Sequence, residues 1–173
     1  MRRKLFFGFF RLLIARYTFF ILFLQIACST LPFSSSIEQS TKLIEEIHEL
    51  IKKTPLGTSK AQLIHAMASY APLYQDSLGL VYRFIYPNAI QYEVEFYFQN
   101  SQLTSIIINL ECEQENKVKL LYLQWVEYLN AALGVINQGA LGNYYWNYKN
   151  INYFLRLHPS QKIISLNILR SKE

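Results

Sequence analysis

The chain has 173 residues, with 17 Lys+Arg against 12 Asp+Glu, and is 51% hydrophobic and 16% aromatic. That length suits one domain, or one domain with a targeting segment, and apolar content this high excludes disordered, collagen-like and low-complexity chains. Its 2 cysteines exclude a disulfide scaffold and a multi-cysteine zinc module.

The charge is unevenly spread. Arg2, Arg3, Lys4, Arg11 and Arg16 precede position 28, where there is no acid, and from there on basic and acidic residues balance. A nucleic-acid binder needs a basic patch that displaces counterions from phosphates. The body offers only scattered lysines, so nucleic acid is not an expected partner.

Residues 1–16 are basic and aromatic, and residues 17–27 (YTFFILFLQIA) carry no charge. A basic lead before a short apolar core is the layout of a signal peptide. As a helix the core spans about 17 Å, against a hydrocarbon layer of about 30 Å. Extending it back to Leu5 centres Arg16, at a cost of about 2.5–3.5 kcal/mol. An export signal over residues 1–27 is therefore expected, and an uncleaved anchor is the alternative.

The core ends Leu24-Gln25-Ile26-Ala27-Cys28. This resembles the lipobox of bacterial lipoproteins, in which a small residue precedes a Cys that is lipidated after cleavage. Gln25 departs from the pattern, which wants an aliphatic residue there. The resemblance implies a lipidated, palmitate-bearing Cys28 with several acyl chains. Several chains hold a membrane firmly where one binds marginally. It also implies an exported protein of the bacterial cell envelope, with the outer membrane favoured. The other reading is a free Cys beside an ordinary cleavage site. Residues 28–36 follow as a Ser-rich tether.

Residues 37–53 place Ile37, Ile44, Ile47 and Ile51 at helical spacing, with Ser36 as the expected N-cap. Thr54-Pro55-Leu56-Gly57 breaks the helix. Thr58 or Ser59 then caps a shorter one, with Leu63, Ile64, Met67 and Ala68 on one face and Pro72 closing the segment. Three strands are expected at 80–86, 91–99 and 103–112. In the second, Tyr92, Val94, Phe96 and Phe98 alternate with Glu93, Glu95, Tyr97 and Gln99. In the third, Ile106, Ile108, Leu110 and Cys112 share a face. Residues 117–133 return to helical spacing through Leu120, Leu121, Trp125, Tyr128, Leu129, Ala132 and Leu133, and Gly134 is a natural stop. A loop with Gly139 and Gly142 leads to strands at 144–148, 152–157 and 162–169.

The predicted fold is α+β, with helices packed on one face of an antiparallel sheet. Residues 37–173 form a single domain. Helix and three strands recur, so 37–113 and 114–173 read as possible tandem halves. Lipobox, tether and the run Pro55-Leu56-Gly57-Thr58-Ser59-Lys60-Ala61-Gln62-Leu63-Ile64 resemble the small outer-membrane lipoproteins of the SmpA/OmlA (BamE-like) group. Here Gly57-Thr58 lack the residue that usually separates them. The duplicated order also resembles the tandem repeat of the β-lactamase-inhibitor-protein fold. These resemblances imply a non-enzymatic role in envelope assembly or partner binding.

Catalytic patterns are not found. His48, His65 and His158 have no Cys, Asp or Glu at a metal-ligand spacing, so no metal or cofactor is expected. Cys112 reads as a buried hydrophobe. Glu93 and Glu95, with Glu111 and Glu113 near, read as surface carboxylates paired with Arg83, Arg156 or Lys across the sheet. What remains is aromatic surface: Tyr144, Tyr145, Trp146 and Tyr148 crowd one strand and are the candidate interface, with Tyr145 and Trp146 on opposite faces. An envelope protein is the expected partner. The alternative is a lipid-anchored binder of a small apolar ligand or lipid between helix and sheet.

Overall fold

The computed structural model describes residues 33–87, 90–134, 137–138 and 143–171. The expected signal, Cys28, the start of the tether, Gly139 and Gly142 lie outside the described residues. The chain divides into two compact units, Met1–Gln39 and Ser40–Glu173. The protein is α+β, with three helices and an antiparallel sheet among the described residues.

Helix α1 (Phe33–Lys53) buries Leu43, Ile44 and Ile47, and Lys52 and Lys53 meet the negative end of its dipole. It begins four residues before the expected start at Ile37, so Ser36 is not its N-cap, and residues 33–36 are helix rather than tether. Nothing between Pro32 and Ile37 breaks a helix, and each Ser costs only about 0.5 kcal/mol of propensity. Buried Thr54 ends the helix, its Oγ1–H donating to the Leu50 carbonyl at 2.8 Å. Gly57 then turns with φ +94°, and its N–H donates to the Leu103 carbonyl at 2.7 Å.

Ser59 is the cap of α2 (Lys60–Ala66). Its hydroxyl accepts from the Gln62 N–H while the Gln62 side chain accepts from the Ser59 N–H, a capping box. Leu63 and Met67 are buried, but Ile64 and Ala68, expected on the same face, are exposed. So short a helix buries about one position per turn.

Strands β1 (Tyr74–Gln75), β2 (Gly79–Tyr86), β3 (Ile90–Gln99) and β4 (Gln102–Cys112) follow. The two-residue β1 had no sequence signal. β2, β3 and β4 match the expected strands to within a residue at each end. Asn100 and Ser101 turn β3 into β4 with φ of 51° and 62°, the left-handed pair that suits the strand twist.

Helix α3 (Glu115–Leu133) buries Val118, Leu121, Tyr122, Trp125, Val126 and Leu129. The predicted stripe included Ala132, which is exposed, and left out Val118, Tyr122 and Val126. Gly134 caps the helix, its N–H donating to the Asn130 carbonyl. Then come β5 (Asn137–Gln138), β6 (Asn143–Tyr148), β7 (Ile151–His158), a 3-10 turn (Pro159–Gln161) and β8 (Ile163–Arg170).

The sheet runs β1-β2-β3-β4-β8-β7-β6-β5, and every neighbouring pair is antiparallel. In the middle of the sheet β4 pairs with β8, where Ile106 faces Ile168 and Ile108 faces Leu166. One face of the strands is buried through Tyr92, Val94, Phe96, Ile106, Ile108, Leu110, Leu155, Leu166 and Ile168, in one cluster with the buried residues of all three helices.

Candidate functional site

Strand alternation puts Tyr144 and Trp146 on the core face of β6 and Tyr145 on the other. Trp146 is 1% exposed, which removes it from the candidate interface. Its indole Nε1–H donates to Asn130 Oδ1 on α3 at 3.0 Å. Tyr144 is half-buried, its ring 5.8 Å from Tyr122 and 6.0 Å from Trp146. Tyr145 lies half-buried beside Phe154, rings 4.9 Å apart, and its hydroxyl donates to Asn152 at 2.8 Å. Tyr148 is exposed at the strand end, with Lys149 Nζ 5.0 Å from its ring centre. The structure thus draws two of the four expected interface rings toward the core and leaves Tyr145 and Tyr148 outward.

The face carrying Tyr145 has a polar row. Register sets Arg83, Glu93, Asn109, Ser165, Arg156 and Asn143 side by side across six strands. Arg83 Nε donates to Glu93 at 2.8 Å, Asn109 to Glu95 at 2.9 Å, Ser165 to Asn109 at 2.6 Å and Arg156 to Asn143 at 3.2 Å. Glu111 accepts from Gln91 at 2.6 Å. A recess of about 300 Å³ opens here, with Glu93, Glu111 and His158 in its lining. Each of these carboxylates already holds a donor. Tyr97, held by its bond to Glu95, has its hydroxyl pushed up to about 12.

Sequence reasoning missed a second surface. Exposed large apolar residues concentrate between positions 64 and 85: Ile64, Tyr70, Leu73, Tyr74, Leu78 and Ile85. Ile85 is 85% exposed and Leu78 65%. Asp76 builds this corner, accepting from the Leu78 and Gly79 amides at 2.8 and 2.7 Å and from the Tyr74 hydroxyl at 2.8 Å. The Tyr74 bond comes first among the causes that lower the Asp76 pKa. The available signal was apolar residues in a stretch, 72–79, to which no period could be assigned.

A third feature is an apolar cavity of about 220 Å³ lined by Ile51, Leu56, Ile106, Trp125, Leu129 and Ile168, among others. His48 is on its rim, half-buried, edge-on to Tyr128 at 5.3 Å. His65 is exposed, and His158 lines the polar recess. Cys112 is buried, and burial pushes its thiol up to about 11. Among the described residues no cluster of His, Cys, Asp and Glu gathers to hold a metal, and no helix is long and apolar enough to cross a membrane. Cys28 lies outside the described residues.

Comparison with protein-family models, with curated proteins and with solved structures finds no match to this chain.

Proposed function

We propose that this chain is a membrane-anchored bacterial lipoprotein, exported to the cell envelope and held by lipidated Cys28, that acts as a non-enzymatic protein-binding or envelope-assembly module. The observation that carries the binding reading is the apolar corner at Leu73, Tyr74 and Leu78, where β1 turns into β2, each more than half exposed. Single exposed apolar residues are ordinary, but a concentration of them marks an interaction surface. The near-neutral body gives no long-range steering, so affinity must come from contact.

In the same reading the three helices share the core face, and 37–113 and 114–173 are tandem halves. The support is the element order: helix (two in the first half, one in the second), a two-residue strand and three long strands, twice, with β4 and β8 paired in the middle of the sheet.

The test is a photocrosslinking residue at Leu78 of the full-length lipidated chain in membranes, with Lys119 on α3 as control. One predominant envelope protein crosslinked at Leu78 and not at Lys119 is the expected result. Equal yields at both, or none at either, overturn it.

The second reading, a binder of a small apolar ligand or lipid, is favoured by the cavity beside Trp125. Its volume of about 220 Å³ exceeds the roughly 150 Å³ known to admit benzene, but falls short of the roughly 300–1,000 Å³ of most ligand sites. Stabilisation by decanol that is lost on filling the cavity with Leu133→Trp would support it.

A further inference from the structure

Strand β2 is the last long strand on its side of the sheet, and β1 covers only its beginning. Tyr74 pairs with Val81 and Gln75 with Leu80. On that outer edge the Val81 carbonyl accepts from the Leu73 N–H at 2.7 Å, and the Gly79 carbonyl from the Asp76 N–H at 3.1 Å. Backbone groups alternate sides along a strand. Arg83 and Ile85 therefore turn N–H and C=O to the same edge as Val81, and no strand among the described residues pairs with them there. An open edge is a template for another strand unless something blocks it. Here there is no Pro within the strand, and Ile85 stands almost wholly in solvent.

Beside this edge runs a groove of about 580 Å³, bounded by Tyr70, Phe84 and Tyr86 and, on α1, by the carboxylates of Glu45, Glu46 and Glu49 against the ammonium groups of Lys42 and Lys53. Neither Glu45 nor Glu46 is in an ion pair among the described residues. Glu46 is close enough to add its charge to burial in raising the Tyr86 and Tyr92 hydroxyls. The volume is that of a site for a drug-sized molecule, which suits a short extended segment better than a folded surface.

We propose that the free edge of β2 at Arg83 and Ile85 receives an extended segment of a partner protein, which pairs its backbone there, sets an apolar side chain against Tyr70, Phe84 and Tyr86, and offers a basic one to Glu45 and Glu46. This rests on the protein-binding reading and names the partner's chemistry. Main-chain bonds supply affinity in such strand addition, and alternate side chains supply specificity.

The test presents the full-length chain in detergent to short immobilised peptides of alternating apolar and basic residues, with apolar–acidic peptides as controls. Ile85→Pro removes an N–H that makes no bond to β3, so the sheet should survive, as circular dichroism will check. It is expected to weaken apolar–basic peptides by roughly tenfold or more. Glu46→Lys should weaken them too and turn the preference toward apolar–acidic peptides. Phe154→Ala, on the other face, should change nothing. If Ile85→Pro unfolds the protein, Glu46→Lys decides. Peptide binding indifferent to both variants, or none at all, overturns the edge site. Binding lost only in Phe154→Ala overturns it while leaving the protein-binding reading intact. A dimer in sedimentation that Ile85→Pro dissociates overturns it in favour of a second copy. Failure of the Leu78 crosslink would instead sink the broader reading.

Discussion

Trp146 on β6 and Asn130 on α3 are joined by a 3.0 Å hydrogen bond from indole Nε1–H to amide Oδ1, with the indole wholly inside the core. The contact fastens the aromatic strand to the last helix. Trp146→Ala removes a large buried ring and is expected to cost about 3–5 kcal/mol. Asn130→Ala leaves the ring in place but strands its N–H, at about 1–3 kcal/mol. Urea unfolding of both variants checks the order. A Trp146→Ala loss near zero would return this residue to the surface.

The long strands were legible because two signals agree in them. Tyr92, Val94, Phe96 and Phe98 alternate with polar neighbours, and Asn100-Ser101 marks the turn, so both the period and its end are local. β1 and β5 have two residues each, too few to show a period. Parity separates Tyr145 from Trp146, but which of them points inward depends on where α3 packs. That is a tertiary fact, and Trp146 stood in the wrong group for that reason. The exposure of Ile85 was invisible for a related reason. Ile85 continues a strand that reads as interior, and only strand order reveals that it borders an open edge.

Gly134 adopts φ 92° and ψ −165°, a region that essentially only glycine visits. A Cβ there would meet nothing within 4 Å, so the strain is in the backbone alone. Gly134→Ala is expected to cost about 1–3 kcal/mol, read as a lowered melting temperature with peptide-array binding unchanged. At Gly57, with φ +94°, an added Cβ would sit 2.8 Å from the Arg170 guanidinium. That flexible tip can swing away, so Gly57→Ala should also be dominated by backbone strain, and Arg170→Ala should not rescue it.

Cys112 sits on the core face of β4, where burial raises its thiol to about 11. At a working pH of about 8 it is expected to stay protonated and to resist thiol reagents until the protein unfolds. Cys112→Ala should lower stability by on the order of 1 kcal/mol. Fast modification of the folded chain by an aromatic disulfide reagent would contradict its buried placement.

For Cys28 the expected outcome is chemical. Metabolic palmitate should label the full-length chain and vanish in Cys28→Ser, while Cys112→Ala keeps the label. Label retained by Cys28→Ser removes the lipobox reading and leaves the uncleaved anchor as the means of attachment.

His48 links the fold to pH. Burial against Tyr128 first, and the Lys52 ammonium second, lower its pKa from 6.5, with Glu49 opposing. The folded protein therefore resists the proton that the unfolded chain accepts. Stability from this site is complete above the unfolded value of 6.5 and is lost as pH falls through 6.5 toward the folded value. His48→Phe keeps an aromatic ring beside Tyr128 and removes the titration. Every other titratable group is the same in both proteins, so the comparison isolates one group. Between about pH 8 and about pH 5 the wild-type melting temperature is expected to fall further than that of His48→Phe. Parallel curves would mean that His48 is solvated in the folded state, and that the rim of the apolar cavity is open to water at this residue.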